Sequence, residues 1–168
     1  MIGKKYFFIL LLLVAFTVFS AENKVVRIVS LYSAYTEILV EIGAKELLVG
    51  ATRHDAKKLG IISVGNHMNP SIEAIISCRP NFVIAFAKDS TRFDKLHSYL
   101  ERSNIPLLIT APKSIDEVKT LILKLGKITH CNDSAVAVVK RIENDFRVVD
   151  TLLKQNLVTS TEVGLHNL

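Results

Sequence analysis

Residues 64–86 read VGNHMNPSIEAIISCRPNFVIAF, a loop, a capped helix, a hard stop and a short apolar run in immediate succession. Asn69 followed by Pro70 predicts a helix start, because Asn accepts a hydrogen bond from an orphan N–H and Pro at the first helical position has none to lose. Ile72, Ile75 and Ile76 then form an apolar stripe, and Pro80 ends the helix. Glu73 falls off that stripe near the helix start, where a carboxylate meets water and the positive end of the helix dipole. Residues 82–86 are apolar throughout and bounded by turn residues, as expected of a strand covered on both faces. The stretch therefore predicts an α/β frame that presents an exposed acid beside a polar loop, residues 65–69.

The rest of the chain fits around this unit. Residues 25–31, rich in Val and Ile, predict a first strand, and Ser33 is placed to cap a following helix with Ile38, Leu39 and Ile42 at helical spacing and Gly43 as its left-handed end. Residues 47–51 predict a second strand, 52–60 a polar loop with Arg53, His54 and Asp55, and 61–64 a short extended piece. A helix is expected over 91–104 and a strand over 106–110. Ser114 with Glu117 forms a capping box for a helix reaching about residue 129. Such alternation implies a mainly parallel sheet with right-handed crossovers. The last predicted helix, 132–154, carries Val136, Val139, Ile142, Phe146, Val149 and Leu153 on one stripe; at roughly 30 Å it is a strut that crosses a whole small domain. Residues 155–168 are expected to form an irregular tail.

The hydrophobic fraction of 49% suits a membrane protein until its location is considered. Much of the excess lies in the first twenty residues, where Lys4 and Lys5 precede an apolar run over 6–19. That is the pattern of a secretory signal, with cleavage expected between Ser20 and Ala21. An uncleaved anchor is the competing reading, set against the run being shorter than the ~20 residues that span a bilayer. No cysteine follows the run, so no lipobox and no lipid anchor are expected. Cleavage removes two lysines and no acid from a net charge of +5. The remaining charges are interspersed and aromatics are sparse, which argues against a nucleic-acid partner. In an oxidising compartment Cys78 and Cys131 allow either a disulfide or two free thiols, and their spacing matches no zinc or redox pattern. No Gly-rich phosphate loop, nucleophile elbow or paired-acid arrangement is present, so an enzyme is not expected and a small secreted enzyme is the weakest reading.

Three segments in order, RIVSLYSAYTEIL, LLVGATRHD and VGNHMNPSIEAIISCRPNFVIA, resemble the helical-backbone (class III) periplasmic substrate-binding proteins of ABC importers for cobalamin, haem and iron–siderophore complexes. The resemblance implies a Rossmann-like parallel sheet flanked by helices over residues 25–130, forming an N-terminal ligand-binding lobe, followed by a connecting helix over 132–154. The second lobe of such proteins is absent here, which suggests a truncated form or a partner half on another chain. The implied function is extracytoplasmic and periplasmic solute binding. The implied partners are an inner-membrane ABC permease and a small-molecule ligand, an iron–siderophore or cobalamin-type compound, with no cofactor. The alternative is a single-lobe interaction protein that docks on the permease without delivering ligand.

The resemblance also assigns residues. Where the family usually reads Ser-Pro before the first helix, Tyr32, Ser33 and Ala34 stand, and Tyr32 and Ser33 face ligand. Arg53 and His54 fall in the second ligand-facing loop, and Asn66, His67 and Met68 in the third. Haem-binding members tend to carry Tyr where Asn66 stands, which disfavours haem, while His67 beside it supports it. Glu73 matches the acid that docks onto permease arginines, and Asn81 replaces the usual Asp after the helix-ending Pro. On the residues alone, Arg53 suits either an anionic ligand group or a surface pair with Asp55. His54 and His67 suit a metal chelate or plain solvation, and Tyr35 packs behind the first helix.

Overall fold

Short apolar strands at the centre of the sheet, buried on both faces, are the elements that force the architecture. The computed structural model describes residues 25–165; the expected signal segment lies outside the described residues. Strands β1 (Ile28–Ser30), β2 (Leu48–Ala51), β3 (Ile62–Ser63), β4 (Phe82–Phe86) and β5 (Leu107–Thr110) form one sheet in the order β3-β2-β1-β4-β5. Every pairing is parallel, with Val29 opposite Val83 and Ala85 opposite Ile109. Because side chains alternate along a strand, Ile28, Phe82 and Ile84 enter one core and Val29, Val83 and Ala85 the other. Helices α1 (Ser33–Glu41), α5 (Ile115–Thr129) and the start of α6 (Asn132–Leu165) cover the first face through Leu39, Ile122, Leu125 and Ala135. Helices α3 (Ile72–Ser77) and α4 (Asp94–Arg102), the latter entered through a 3-10 turn at Ser90–Phe93, cover the second through Ile75, Leu96 and Leu100.

Several local expectations need correction. The expected loop over 52–60 is a helix, α2 (Arg53–Leu59), closed by Gly60 at φ 70°. Its outer face is polar enough to pass for a loop, but Ala56 is buried and Leu59 packs against the core. Helix α3 is capped by Ser71 and not Asn69: the Ser71 hydroxyl accepts from the Ala74 amide at 3.1 Å. Pro70 instead bridges Gly65 in an antiparallel pair. Ser33 does not cap α1; Tyr32 stands at that position, without a side-chain cap bond. The capping box at Ser114 is half formed, since Glu117 N–H donates to Ser114 Oγ while the Glu117 carboxylate accepts from the Lys113 amide. Cys78 and Cys131 are free thiols. Asn81 fixes the entry to β1 from both sides: its Oδ1 accepts from the Arg27 amide at 2.8 Å and its Nδ2 donates to the Val25 carbonyl at 2.8 Å. The second bond is one an aspartate could not make.

Helix α6 also runs past residue 154 to Leu165, so the expected irregular tail is helical over 155–165. Once a helix is nucleated, each further residue adds a hydrogen bond for one residue ordered, and weak local propensity is overridden. At 34 residues it spans about 50 Å. Its apolar stripe is not uniform: Val139 is buried and Ile142 packs on the core, whereas Val136 before them and Phe146, Val149 and Leu153 beyond them are exposed. No described helix is long and apolar enough to cross a membrane.

Candidate functional site

In a parallel sheet, the loops after two neighbouring strands diverge wherever the chain reverses its direction of winding, and a crevice opens at the carboxyl ends of those strands. Here β1, β2 and β3 progress one way and β4 and β5 lie on the other side of β1, so the reversal falls between β1 and β4. Tyr32 follows β1 and Phe86 ends β4 at this point. Their rings stack with centroids 4.6 Å apart and planes 20° from parallel. Tyr35 meets Tyr32 edge-on at 5.1 Å, and His67 meets it edge-on at 6.0 Å. Offset and edge-to-face geometries of this kind match the quadrupoles of the rings. Tyr35 is buried and its hydroxyl donates to the Thr110 carbonyl at 2.9 Å, tying α1 to the end of β5. Burial, aided by the neighbouring Tyr32, pushes its phenol up to about 12. Tyr32 and Phe86 remain half-exposed.

The backbone around this aromatic group is held in place from all sides. The Tyr32 carbonyl accepts from the Tyr35 and Thr36 amides and from the Ser30 and Thr36 hydroxyls. The loop from Gly65 to Ser71 folds on Asn66, whose Oδ1 accepts from the Met68 and Asn69 amides at 2.9 and 2.8 Å. The Arg53 amide donates to the Gly65 carbonyl at 2.7 Å, joining α2 to that loop. From the opposite side Arg92 donates to the His67 carbonyl at 2.7 Å and to Met68 Sδ at 2.9 Å, with its guanidinium over the Phe93 ring. No carboxylate lies within ion-pair range of Arg53 or Arg92 among the described residues. Asp89 turns its carboxylate onto the Thr91 amide, which holds it below the usual carboxylate range. The result is an aromatic platform with the exposed Arg92 guanidinium beside it, and with Arg53 exposed at the start of α2 next to the adjoining loop.

A family profile described as periplasmic binding protein matches residues 28–163. The chain belongs to the periplasmic binding protein family. Among curated relatives of this family is the uncharacterized ABC transporter substrate-binding lipoprotein YvrC of Bacillus subtilis (strain 168), 26% identical over 131 residues, with 76% of this chain and 42% of that protein covered. Among solved structures, the periplasmic heme binding protein HutB of Vibrio cholerae superposes with a TM-score of 0.65 at 22% identity, covering 75% of this chain and 49% of that one. The periplasmic vitamin B12 binding protein BtuF of Vibrio cholerae superposes at 0.59 and 23% identity, covering 73% and 49%. These likenesses carry the fold. The chain spans about half the length of the relatives it matches.

Within this periplasmic binding protein lobe, the residues singled out from sequence separate into groups. Tyr32 and His67 come together on the platform, and Met68 joins them through Arg92. Arg53 and His54 are exposed on the first turn of α2 and not on a loop, and the pairing of Arg53 with Asp55 does not form. Asn66 spends its acceptor on its own loop. Ser33 is turned inward to Asp55 at 2.7 Å. Glu73 stands apart and exposed; its own amide and the Ser71 hydroxyl hold its carboxyl below the ordinary value. Among the described residues no three His, Cys, Asp or Glu side chains converge as metal ligands do. Phe86 and Arg92 were not foreseen from sequence. Phe86 is signalled only by its place as the last residue of β4; the Arg92 bonds go to a backbone carbonyl and a thioether, which leave no trace in a motif.

Proposed function

We propose that this chain supplies one side of the ligand site of an extracytoplasmic solute-binding protein serving an ABC importer, and that its ligand is a metal chelate or cobalamin-type compound. The observation that carries the reading is the stacked Tyr32–Phe86 pair, flanked by His67, whose carbonyl holds the Arg92 guanidinium, at the point where the sheet reverses. An aromatic surface buries a flat or ring-bearing ligand, and guanidinium groups without carboxylate partners pair with its carboxylates or phosphate. In this reading a second lobe, on this or another chain, closes over the ligand, and affinity comes from contacts that both lobes make in the closed state. Glu73, charged and accessible about one helical turn from the ligand loop, is the contact for permease arginines.

Thermal shift with haemin, cyanocobalamin and a ferric siderophore tests the ligand reading. A ligand at ten times its Kd stabilises by about 1.4 kcal/mol, or about 3–6 °C for a domain of this size. One of the three is expected to give such a shift in the wild type and not in Tyr32→Ala. No shift with any of them, or a shift that persists in Tyr32→Ala, contradicts the reading. For docking, Glu73→Ala is expected to abolish uptake at unchanged ligand affinity; undiminished uptake removes that role.

A further inference from the structure

Asp55 is only 3% exposed, yet it sits on the first turn of a surface helix, where an acid ordinarily faces water. One of its oxygens, Oδ2, accepts from Ser33 Oγ at 2.7 Å and from Thr52 Oγ1 at 2.7 Å. The two hydroxyls come from different turns, the one after β1 and the one after β2, and stand 3.5 Å from each other. Thr52 occupies the N-cap position of α2 but makes no side-chain cap bond; its hydroxyl is committed to the carboxylate instead. Burying a carboxylate is costly unless hydrogen bonds replace its water, so helix capping has been given up for a tie between two turns. Both turns lead directly to the platform: Ser33 follows Tyr32, and Thr52 precedes Arg53.

We propose that Asp55 is a positioning residue for the ligand face, locking the β1–α1 and β2–α2 turns together and thereby fixing Tyr32 against Phe86 and relative to Arg53. This rests on the ligand reading above for its consequence, though not for its geometry. The Tyr32 carbonyl keeps its bonds to Ser30 and Thr36 when the carboxylate is removed, and Ser30 stays opposite Ala51 in the sheet, so the turn stays formed and loses only its side-chain tie to the β2–α2 turn. An amide oxygen accepts two hydroxyl donors as a carboxylate oxygen does, and Asp55→Asn therefore retains the lock while Asp55→Ala removes it.

The test is NMR of the full chain with ring-labelled tyrosine. The stacked Phe86 ring displaces the Tyr32 ring signals from free-tyrosine values. In Asp55→Ala these signals are expected to move toward free-tyrosine values, and in Asp55→Asn to stay. Ser33→Ala and Thr52→Val, each removing one arm, are expected to give intermediate displacements and carry the test should Asp55→Ala fail to fold. Unchanged Tyr32 signals in Asp55→Ala, or in both single-arm variants, overturn the proposal even if thermal stability falls. Asp55→Asn behaving like Asp55→Ala overturns it as well. In a parallel titration with cyanocobalamin, Asp55→Ala is expected to weaken binding about tenfold, since sites tolerate displacements of only about 0.5 Å. Tyr32 signals that respond as expected in a wild type that binds no cyanocobalamin support the lock and count against the cobalamin reading.

Discussion

Replacing Gly126 by alanine sets two effects of opposite sign against each other at the joint between the sheet and α6. Helix propensity favours the change by about 1 kcal/mol. Packing opposes it: a Cβ on Gly126 would stand 2.5 Å from the Ala135 Cβ and 3.3 Å from the Cys131 carbonyl. Methyl carbons rest about 3.5–4.0 Å apart, so α5 and α6 would have to part by an amount on the order of 1 Å. Neither methyl has a rotamer to change, and Ala135 is fully buried on the first turn of α6. Overpacking of a close-packed core costs about 1–3 kcal/mol, and parting the helices also loosens Leu125, Val138 and Val139. The expected net loss is about 1–2 kcal/mol, or about 2–8 °C in Tm for a domain of this size. Urea unfolding followed by far-ultraviolet circular dichroism measures it. Ala135→Gly in the Gly126→Ala background vacates the clashing methyl, so the two changes should be coupled by more than about 0.5 kcal/mol. A Gly126→Ala variant stabilised by about 1 kcal/mol, the propensity term alone, and uncoupled from Ala135, would refute the seating of α6 on α5.

Gly50→Ala poses the same question inside the sheet, where the new Cβ would lie 2.7 Å from the buried Cys78 Sγ; a loss of about 1–3 kcal/mol is expected, recovered in part by Cys78→Ala and read by the same unfolding assay. Ser71→Ala should cost about 1 kcal/mol by removing the cap of α3, with Asn69→Ala leaving that cap untouched. Tyrosinate absorbance compared between wild type and Tyr35→Phe should show Tyr35 ionising at about 12 in place of 10.0. Because the folded value is raised, its contribution to stability is complete below pH 10 and is lost as pH rises toward 12; alkaline unfolding that is insensitive to Tyr35→Phe would contradict this.

The sheet was legible because its strands are short and apolar and its helices mostly carry strong caps or stripes. Phe82–Phe86, buried on alternate faces, could be little else. Helix α2 is hard to read because only two of its apolar residues, Ala56 and Leu59, turn inward, too few for a period to register, and its third inward residue is the acid Asp55. The start of α3 was misplaced because Asn69 and Pro70 carry a start signal that Ser71, two residues on, satisfies with a real bond. In the site, the resemblance singles out Tyr32 and His67, and the structure brings their rings together edge-on beside the point where the sheet reverses. The Asp55 lock was not, since a buried carboxylate shared by hydroxyls 22 and 3 positions away looks in sequence like any surface acid. The split of the α6 stripe was equally invisible, because periodicity records which residues share a face and not how far along it the core extends.

The most direct test of the ligand face is amide chemical-shift mapping of the full chain with cyanocobalamin and, separately, haemin, a method that registers weak binding. Shifts are expected to saturate with one of the two and to cluster at Tyr32, His67, Phe86 and Arg92, with Glu73 undisturbed. Shifts confined to the exposed half of α6, or none with either compound, would contradict it.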